Sequence, residues 1–471
     1  MSKKAKTVFV CQQCGYESPR WLGQCICGAW NSFVEEVVRE APEDDIRRRG
    51  SAAKDADGRI KAARPVSLPS VRSGESTRID TGIGELNRVL GGGLVCGSLT
   101  LISGEPGIGK STMIIQAAAS ISRSLGKVLY VSGEESEEQI KMRADRVCAG
   151  DLSQLFLLSE TNMEAVLTAV ENLKPAFLVI DSIQTMYTDT IESAPGSVSQ
   201  VRACGSMLMN IGKSGQIPVF IVAHVTKSGE LAGPKIVEHL VDTVLQFSGE
   251  RNQDLRILRS FKNRFGTTSE IGAFEMREEG LVQVENLSAT FLEGLSQNAC
   301  GSVPTAVYEG TRPLLLEIQA LTAPCNAGFA RRSSIGIDGS RLNMIIAVLE
   351  RKAGMNLINR DIYLNIVGGL KPEGTSTDLA AALAIWSDES GRPFPAKTLA
   401  IGEIGLTGEL RPVRNAEKLA KEAGRMGFEY MLLPKRSVER IKDKPAGLRL
   451  IGVSTVAEAI SMLERTGKSA E

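Results

Sequence analysis

The sequence predicts a multidomain α/β protein organised around a nucleotide-binding parallel sheet, and three observations predict it. The first is Gly104-Glu105-Pro106-Gly107-Ile108-Gly109-Lys110-Ser111-Thr112, which has the spacing of a phosphate-cradling loop: glycine, four residues, then Gly-Lys-Ser. The second is its setting. Residues 98–103 form an apolar, strand-like run and residues 112–124 carry Ala and Ile at helical spacing, so strand, loop and helix follow in order. The third is a series of apolar runs, 127–132, 177–181 and 219–223, each ending beside a polar or acidic residue as buried parallel strands do.

Length and composition bound the rest. With 471 residues and 42% hydrophobic content the chain exceeds one core, so two or three domains are expected. A formal net charge of +0 excludes a uniformly basic nucleic-acid coat but leaves room for local basic patches. Residues 1–10 lack the apolar stretch and cleavage site of a secretory signal, and no run of about 18 apolar residues occurs. The nine cysteines are an odd, unevenly spread set. Together these predict a cytoplasmic protein in a reducing compartment, with no membrane span.

Residues 1–40 read as a metal-built module. Cys11 and Cys14, then Cys25 and Cys27, place four thiols in a segment too short for its own hydrophobic core, where Zn²⁺ would supply folding energy. The first pair has the two-residue spacing that lets both sulfurs face one metal; the second has one intervening residue, below the usual two to four. A redox pair or unligated thiols are the alternatives. Residues 41–77 lack sustained periodicity and are rich in Arg and Lys with Pro65 and Pro69, which predicts a basic linker.

Residues 78–290 carry the chemistry. The loop N–H groups and the helix N-terminus behind them would surround the phosphates of ATP, with Lys110 on the β and γ phosphates and the Ser111 hydroxyl on Mg²⁺. Asp181, closing a buried strand, is the carboxylate expected to hold the Mg²⁺ shell near Ser111. Glu134 or Glu135, just past the run 127–132, could polarise the attacking water, the alternative being an acidic helix start. His224, Thr226 and Lys227 follow the run 219–223, where a side chain could sense the γ-phosphate; His239 has no such address and reads as structural. The small, polar residues 193–202 suggest a mobile surface loop facing a polymeric substrate.

The phosphate loop, Tyr130-Val-Ser-Gly-Glu-Glu-Ser136, Ile180-Asp-Ser-Ile-Gln-Thr185, Ala223-His-Val-Thr-Lys227, Phe261-Lys-Asn-Arg-Phe-Gly266 and the Cys-rich N-terminus with Trp21 and Trp30 together resemble the RadA (Sms) family of bacterial DNA-repair proteins. The resemblance runs over nearly the whole chain. It implies a RecA-like ATPase core in a DnaB-type hexameric ring that moves on single-stranded and branched DNA, drives branch migration and works beside a RecA-type recombinase. By the same resemblance Glu134 would activate water, His224 would sense the γ-phosphate, and Lys262 and Arg264 would reach the ATP of the next subunit.

From residue 291 to 471 strand-like runs (314–318, 363–367, 399–403) alternate with helical ones (341–352, 377–387, 416–426). The resemblance implies a domain similar to the proteolytic domain of Lon, whose chemistry needs a Ser-Lys pair. Ser376 falls where the serine would lie, but the lysine position holds Glu417, with Lys418 one residue off. A ring-building, DNA-facing scaffold is therefore expected; for its basic residues Arg331, Arg332, Arg341, Arg351, Lys352 and Lys371 the two readings are contact with a nucleic-acid backbone and plain solvated surface charge. An ATP-dependent peptidase is the alternative, and a nucleotide-gated switch acting on proteins a third reading.

Overall fold

A computed structural model describes residues 6–38, 67, 78–224, 236–249, 254–295, 299–325, 329–368, 370–372 and 374–467. Apart from Ser67, the basic linker expected at 41–77 lies outside the described residues, as do Thr226 and Lys227. Contacts divide the chain into two units, residues 1–283 and 284–471.

In the first unit a nine-stranded sheet has the spatial order Gly280–Gln283, Ile271–Arg277, Leu255–Asn263, Thr243–Ser248, Leu99–Gly104, Val219–His224, Phe177–Asp181, Val128–Ser132 and Leu155–Ser159. The strands from Thr243–Ser248 onward run parallel, while the first three are paired antiparallel. The central strands are apolar almost throughout because both faces are covered. In Phe177–Asp181, Phe177 and Val179 pack with the helices Lys110–Leu125 and Glu137–Val147. Leu178 and Ile180, with the opposite parity, pack with Met163–Leu173 and Val198–Gly215. Phe177 meets Phe220 of the next strand edge to face, with centroids 5.1 Å apart.

Strand boundaries follow the sequence closely, with two informative differences. His224 is the last residue of its strand, paired opposite Gly104, instead of lying beyond its end. The stretch 193–202 is only half loop, because Ser197 accepts a hydrogen bond from the Gln200 amide and caps a helix that starts at Val198. The buried Gln200 side chain then ties the preceding segment down: its amide nitrogen donates to the carbonyls of Thr188, Ile191 and Ser193. A period-3.6 pattern that begins inside a small-residue stretch is invisible until the cap is recognised.

At the N-terminus Lys6–Cys11 lies between Glu17–Ser18 and Phe33–Val38 in a small antiparallel sheet. In the second unit Ser302–Glu309, Arg312–Pro324, Arg360–Ile366 and Arg332–Ile335 form one sheet, and Thr398–Ala400, Tyr430–Pro434 and Arg449–Val453 a parallel one. The helix Asp378–Ser390 is buried from Asp378 to Ser387. The strand expected at 399–403 is split. After Ala400 the amide of Gly402 turns to the Ser376 carbonyl, 2.8 Å away, and Glu403–Ile404 pairs with Leu410–Arg411.

Candidate functional site

The phosphate loop connects the buried strand Leu99–Gly104 to the helix Lys110–Leu125. Glu105, Pro106 and Gly107 form its outer rim, while Ile108 is buried and pins it to the core. Gly109 has φ +113°, a backbone conformation that favours glycine, and a Cβ there would lie 2.7 Å from the terminal methyl of Met276. Lys110 donates to the carbonyls of Gly104 (2.8 Å) and Glu105 (3.0 Å), folding its ammonium into the hollow of the loop. Burial lowers its pKa, opposed by the nearby carboxylates of Asp181 and Glu134. Ser111 and Thr112 follow in the first helical turn, where free N–H groups face outward.

Two carboxylates from neighbouring strands converge on this loop. The strand Val219–His224 is inserted between the phosphate-loop strand and Phe177–Asp181. Asp181 is buried, which pushes its pKa up; hydrogen bonds from the Tyr130 and Ser111 hydroxyls act the other way. The Tyr130 phenol, fully buried, donates to Asp181 Oδ2 at 2.6 Å. Oxygen donors alone, a buried carboxyl beside a helix-start hydroxyl, suit a hard divalent cation, and Asp181 and Ser111 are the residues that could hold Mg²⁺.

Glu134 and Glu135 have separate fates. Glu135 is ion-paired with Arg143 of the following helix. Glu134 accepts from the Ser182 hydroxyl, and both its oxygens face His224 Nε2, at 3.1 and 3.2 Å. The His224 hydrogen bond is the main influence holding the Glu134 pKa below the ordinary carboxylate range, with Ser182 and Lys110 adding to it against partial burial. The helix itself begins at Glu137, under a Ser136–Gln139 capping box, so neither glutamate is a helix-start residue. Tyr130 and Ser182 were missed as site residues in the sequence. A phenol in an otherwise aliphatic buried strand was the available signal, since its hydroxyl must find a partner there.

Lys262 and Arg264 lie elsewhere. Lys262, the penultimate residue of the strand Leu255–Asn263, lies opposite Val244, which pairs in turn with Leu101; the Arg264 amide donates to the Asp242 carbonyl, and the Asp242 amide to that of Leu99. Lys262 is thus level with the middle of the phosphate-loop strand and Arg264 with its start, some five residues or roughly 17 Å from Gly104 at about 3.3 Å per residue. A bulge between Val244 and Leu245 throws out Phe261, which is 63% exposed, just before them. Lys262 Nζ donates to the Glu238 carbonyl at 2.8 Å, and Arg264 pairs with Asp242 at 3.2 Å. Gly266 packs against Gly91, whose Cα would be 3.1 Å from a Cβ at position 266, which explains the glycine closing this segment.

The sulfurs of Cys11, Cys14, Cys25 and Cys27 all lie within 4.8 Å of one another. Turns with positive φ at Gly15 and Gly28 bring each pair round, and the one-residue spacing of Cys25 and Cys27 is accommodated by the turn in which the Gly28 amide donates to the Cys25 carbonyl. Burial pushes the Cys14 thiol up to about 12, whereas Cys11, also raised by burial, is drawn down to about 6 by Ser32 and backbone N–H groups. Four thiolates cannot share this volume without a cation, and a closed tetrahedral Zn²⁺ site fits the donor set.

In the second unit the protease-like residues do not meet. Lys418 donates to the Tyr308 hydroxyl at 2.7 Å and sits 5.1 Å from the ring centroid, and Glu417 is ion-paired with Lys421. No hydrogen bond among the described residues joins Ser376 to a lysine. Arg341, expected to face nucleic acid, is instead committed inward, held by both oxygens of the buried Asp378 and by the Ile404 carbonyl.

Comparison with known proteins places family models on three segments: a rubredoxin metal-binding domain on residues 9–35, an AAA domain on 62–230 and subunit ChlI of Mg-chelatase on 336–437. The DNA repair protein RadA of Bacillus subtilis is 50% identical over 458 residues, 97% of this chain and 98% of its own length. That of Streptococcus pyogenes serotype M1 is 47% identical over 464 residues, 98% and 99% of the two chains. Among solved structures, the RadB recombinase is 23% identical with a TM-score of 0.36, covering 44% of this chain and 99% of that one. No helix among the described residues is long and apolar enough to cross a membrane.

Proposed function

The chain belongs to the RadA family of DNA repair proteins, and from that premise we propose that it is an ATP-driven motor of homologous recombination, a DNA helicase that moves on single-stranded and branched DNA and promotes branch migration. It works as a hexameric ring in the cytoplasm, beside a RecA-type recombinase. The domains are a zinc module over 1–40, a linker over 41–77, an ATPase over 78–290 and a non-proteolytic Lon-like scaffold over 291–471.

The observation that carries this reading is the distance between Lys262 and Arg264 and the phosphate loop of their own chain. Two cations two strands over and set back along the sheet, Arg264 by roughly 17 Å at about 3.3 Å per residue, stand away from the ATP held by Gly104–Thr112 of the same chain. They can serve only an ATP presented by a neighbour, which calls for a ring or filament of identical protomers. Their present partners, the Glu238 carbonyl and Asp242, hold them there until such a neighbour arrives.

Within one protomer the Gly104–Thr112 N–H groups bind the triphosphate, and Lys110 swings from its carbonyl partners to the β and γ oxygens. Ser111 and Asp181 would hold Mg²⁺, which would supply charge withdrawal from the phosphate oxygens. Tyr130 fixes one Asp181 oxygen, which orients the other. Glu134, kept ionised by His224 and Ser182, takes the proton of the attacking water. His224, sharing that carboxylate, is placed to register whether the γ-phosphate is present. Lys262 and Arg264 of the adjoining protomer stabilise charge on the transferring phosphoryl group.

The test mixes two inactive variants. Lys110→Ala and Arg264→Ala proteins, each strongly impaired in ATP hydrolysis alone, should regain turnover on mixing in the presence of single-stranded DNA, because one seam in the mixed ring has an intact loop facing an intact finger. Absence of recovery in demonstrably mixed assemblies would overturn the trans reading. A wild type whose ATPase ignores single-stranded DNA would overturn the motor.

A further inference from the structure

The Arg264 side chain is 54% exposed, yet its guanidinium does not swing freely. Nη1 donates to Asp242 Oδ1 at 3.2 Å, and among the described residues the guanidinium makes no other hydrogen bond, so its remaining N–H groups are left to face outward. We propose that Asp242 is the positioning residue of this finger, fixing one edge of the Arg264 guanidinium so that the other edge meets the γ-phosphate of the ATP held by the adjoining protomer. The inference rests on the reading of Lys262 and Arg264 as cations that act in trans, and adds the residue that aims Arg264.

Three features support it. The carboxylate is itself fixed. Asp242 is buried, and its polar groups are committed: the amide donates to the Leu99 carbonyl at 2.9 Å, the carbonyl accepts from the Arg264 amide at 3.1 Å, and Oδ2 accepts from the Leu99 amide at 3.1 Å. With Oδ2 on the phosphate-loop strand and Oδ1 on Arg264, the carboxylate cannot turn without losing one partner, so the direction of the guanidinium is set from that strand. The charges balance as well. Burial lowers the Lys262 pKa and the Arg264 charge adds to this, while Asp242 and Glu238 oppose it, so the carboxylate helps two cations stand side by side. The third feature is a turn that holds without the carboxylate. Asn263 Oδ1 accepts from the Phe265 amide at 2.9 Å and Arg78 donates to the Phe265 carbonyl at 2.7 Å. Removing the charge at position 242 therefore frees the guanidinium and leaves its backbone in place.

Neutralising the carboxylate isolates this role. In Asp242→Asn the amide oxygen can still accept from Leu99, but the amide nitrogen then points N–H at N–H toward Arg264, which loses its seat. ATPase measurements on the full-length protein with Mg²⁺ and single-stranded DNA should show kcat lower by roughly ten- to a hundredfold with KM for ATP unchanged, as expected for a group that acts only in the transition state. The double variant Asp242→Asn/Arg264→Ala should be no slower than Arg264→Ala alone, because a residue that works through Arg264 has nothing left to position. In mixed assemblies Asp242→Asn should regain turnover with Lys110→Ala and not with Arg264→Ala. Should Asp242→Asn fail to assemble, Asp242→Glu, which keeps both oxygens and moves them by one methylene, carries the same expectation of a loss in kcat alone. Wild-type kcat in the Asp242 variants, a raised KM, or losses that multiply in the double variant overturn the positioning role while leaving the fingers standing. Wild-type turnover in Arg264→Ala overturns the finger and its seat together.

Discussion

The two units treat their candidate catalytic residues in opposite ways. In the first, Lys110, Tyr130, Glu134, Asp181, Ser182 and His224 come from different strands and loops and meet at one point. In the second, no hydrogen bond among the described residues joins Ser376 to Lys418, and the lysine is bound to Tyr308 and lies over its ring. Both units are α/β and both carry suggestive residue types. The difference teaches that the carboxyl ends of parallel strands form a site only when several of them end level with one another beside a loop. A serine whose backbone serves the Gly402 amide has been absorbed into the architecture.

That contrast can be broken or sharpened by substitution, beginning with the largest effect. Lys110→Ala should abolish ATP hydrolysis, a fall of roughly a thousandfold or more, measured as phosphate release with DNA present. Lys262→Ala or Arg264→Ala should cost about a hundred- to a thousandfold in turnover with ATP affinity retained by calorimetry, since neither touches its own nucleotide. Parallel loss of binding would move them into the local site. Cys14→Ser should reduce zinc, expected near one per chain, to background by elemental analysis; full occupancy in that variant would remove the four-thiolate centre.

Smaller effects follow. His224 is the main influence holding the Glu134 carboxyl below its usual range, so the wild-type base stays ionised to lower pH. Removing the imidazole in His224→Ala should raise that pKa and move the acid limb of the kcat/KM profile to higher pH. At neutral pH, where Glu134 remains ionised in both proteins, this proton contribution should vanish. An acid limb that stays put would separate His224 from the base. Least of all, Ser376→Ala should leave ATPase unchanged and shift stability by no more than about 0.5 kcal/mol, while Lys418→Met loses a phenol contact worth about 0.5–1 kcal/mol. Peptide hydrolysis by the wild type that disappears in Ser376→Ala would erase the contrast between the units.

Most of the ATPase sheet was legible because its signals are local. Alternate packing of Phe177 and Leu178, the glycine spacing of the phosphate loop and the thiol clusters each occupy a few consecutive residues. What failed to read through were features set by cross-chain hydrogen bonds. The Ser197 cap and the Gln200 anchor turned an expected loop into a helix start, the Gly402–Ser376 bond split a strand, and Asp378 drew Arg341 inward. None of these has a sequence period, because each partner lies many residues away or depends on a cap instead of a repeat.

By itself the sequence determined the triphosphate loop, the four thiols, the strand-ending carboxylates and the family, since spacing along a chain dictates which groups share a turn, a knuckle or a strand end. Only the tertiary structure decided which glutamate faces His224, that Tyr130 and Ser182 belong to the site, that Lys418 serves Tyr308, and that Lys262 and Arg264 are set back along the sheet from their own loop. The physical reason is register. A strand's composition states that it is buried, but its direction and its level against its neighbours arise from packing over the whole sheet, and these decide which side chains come within a hydrogen bond of one another.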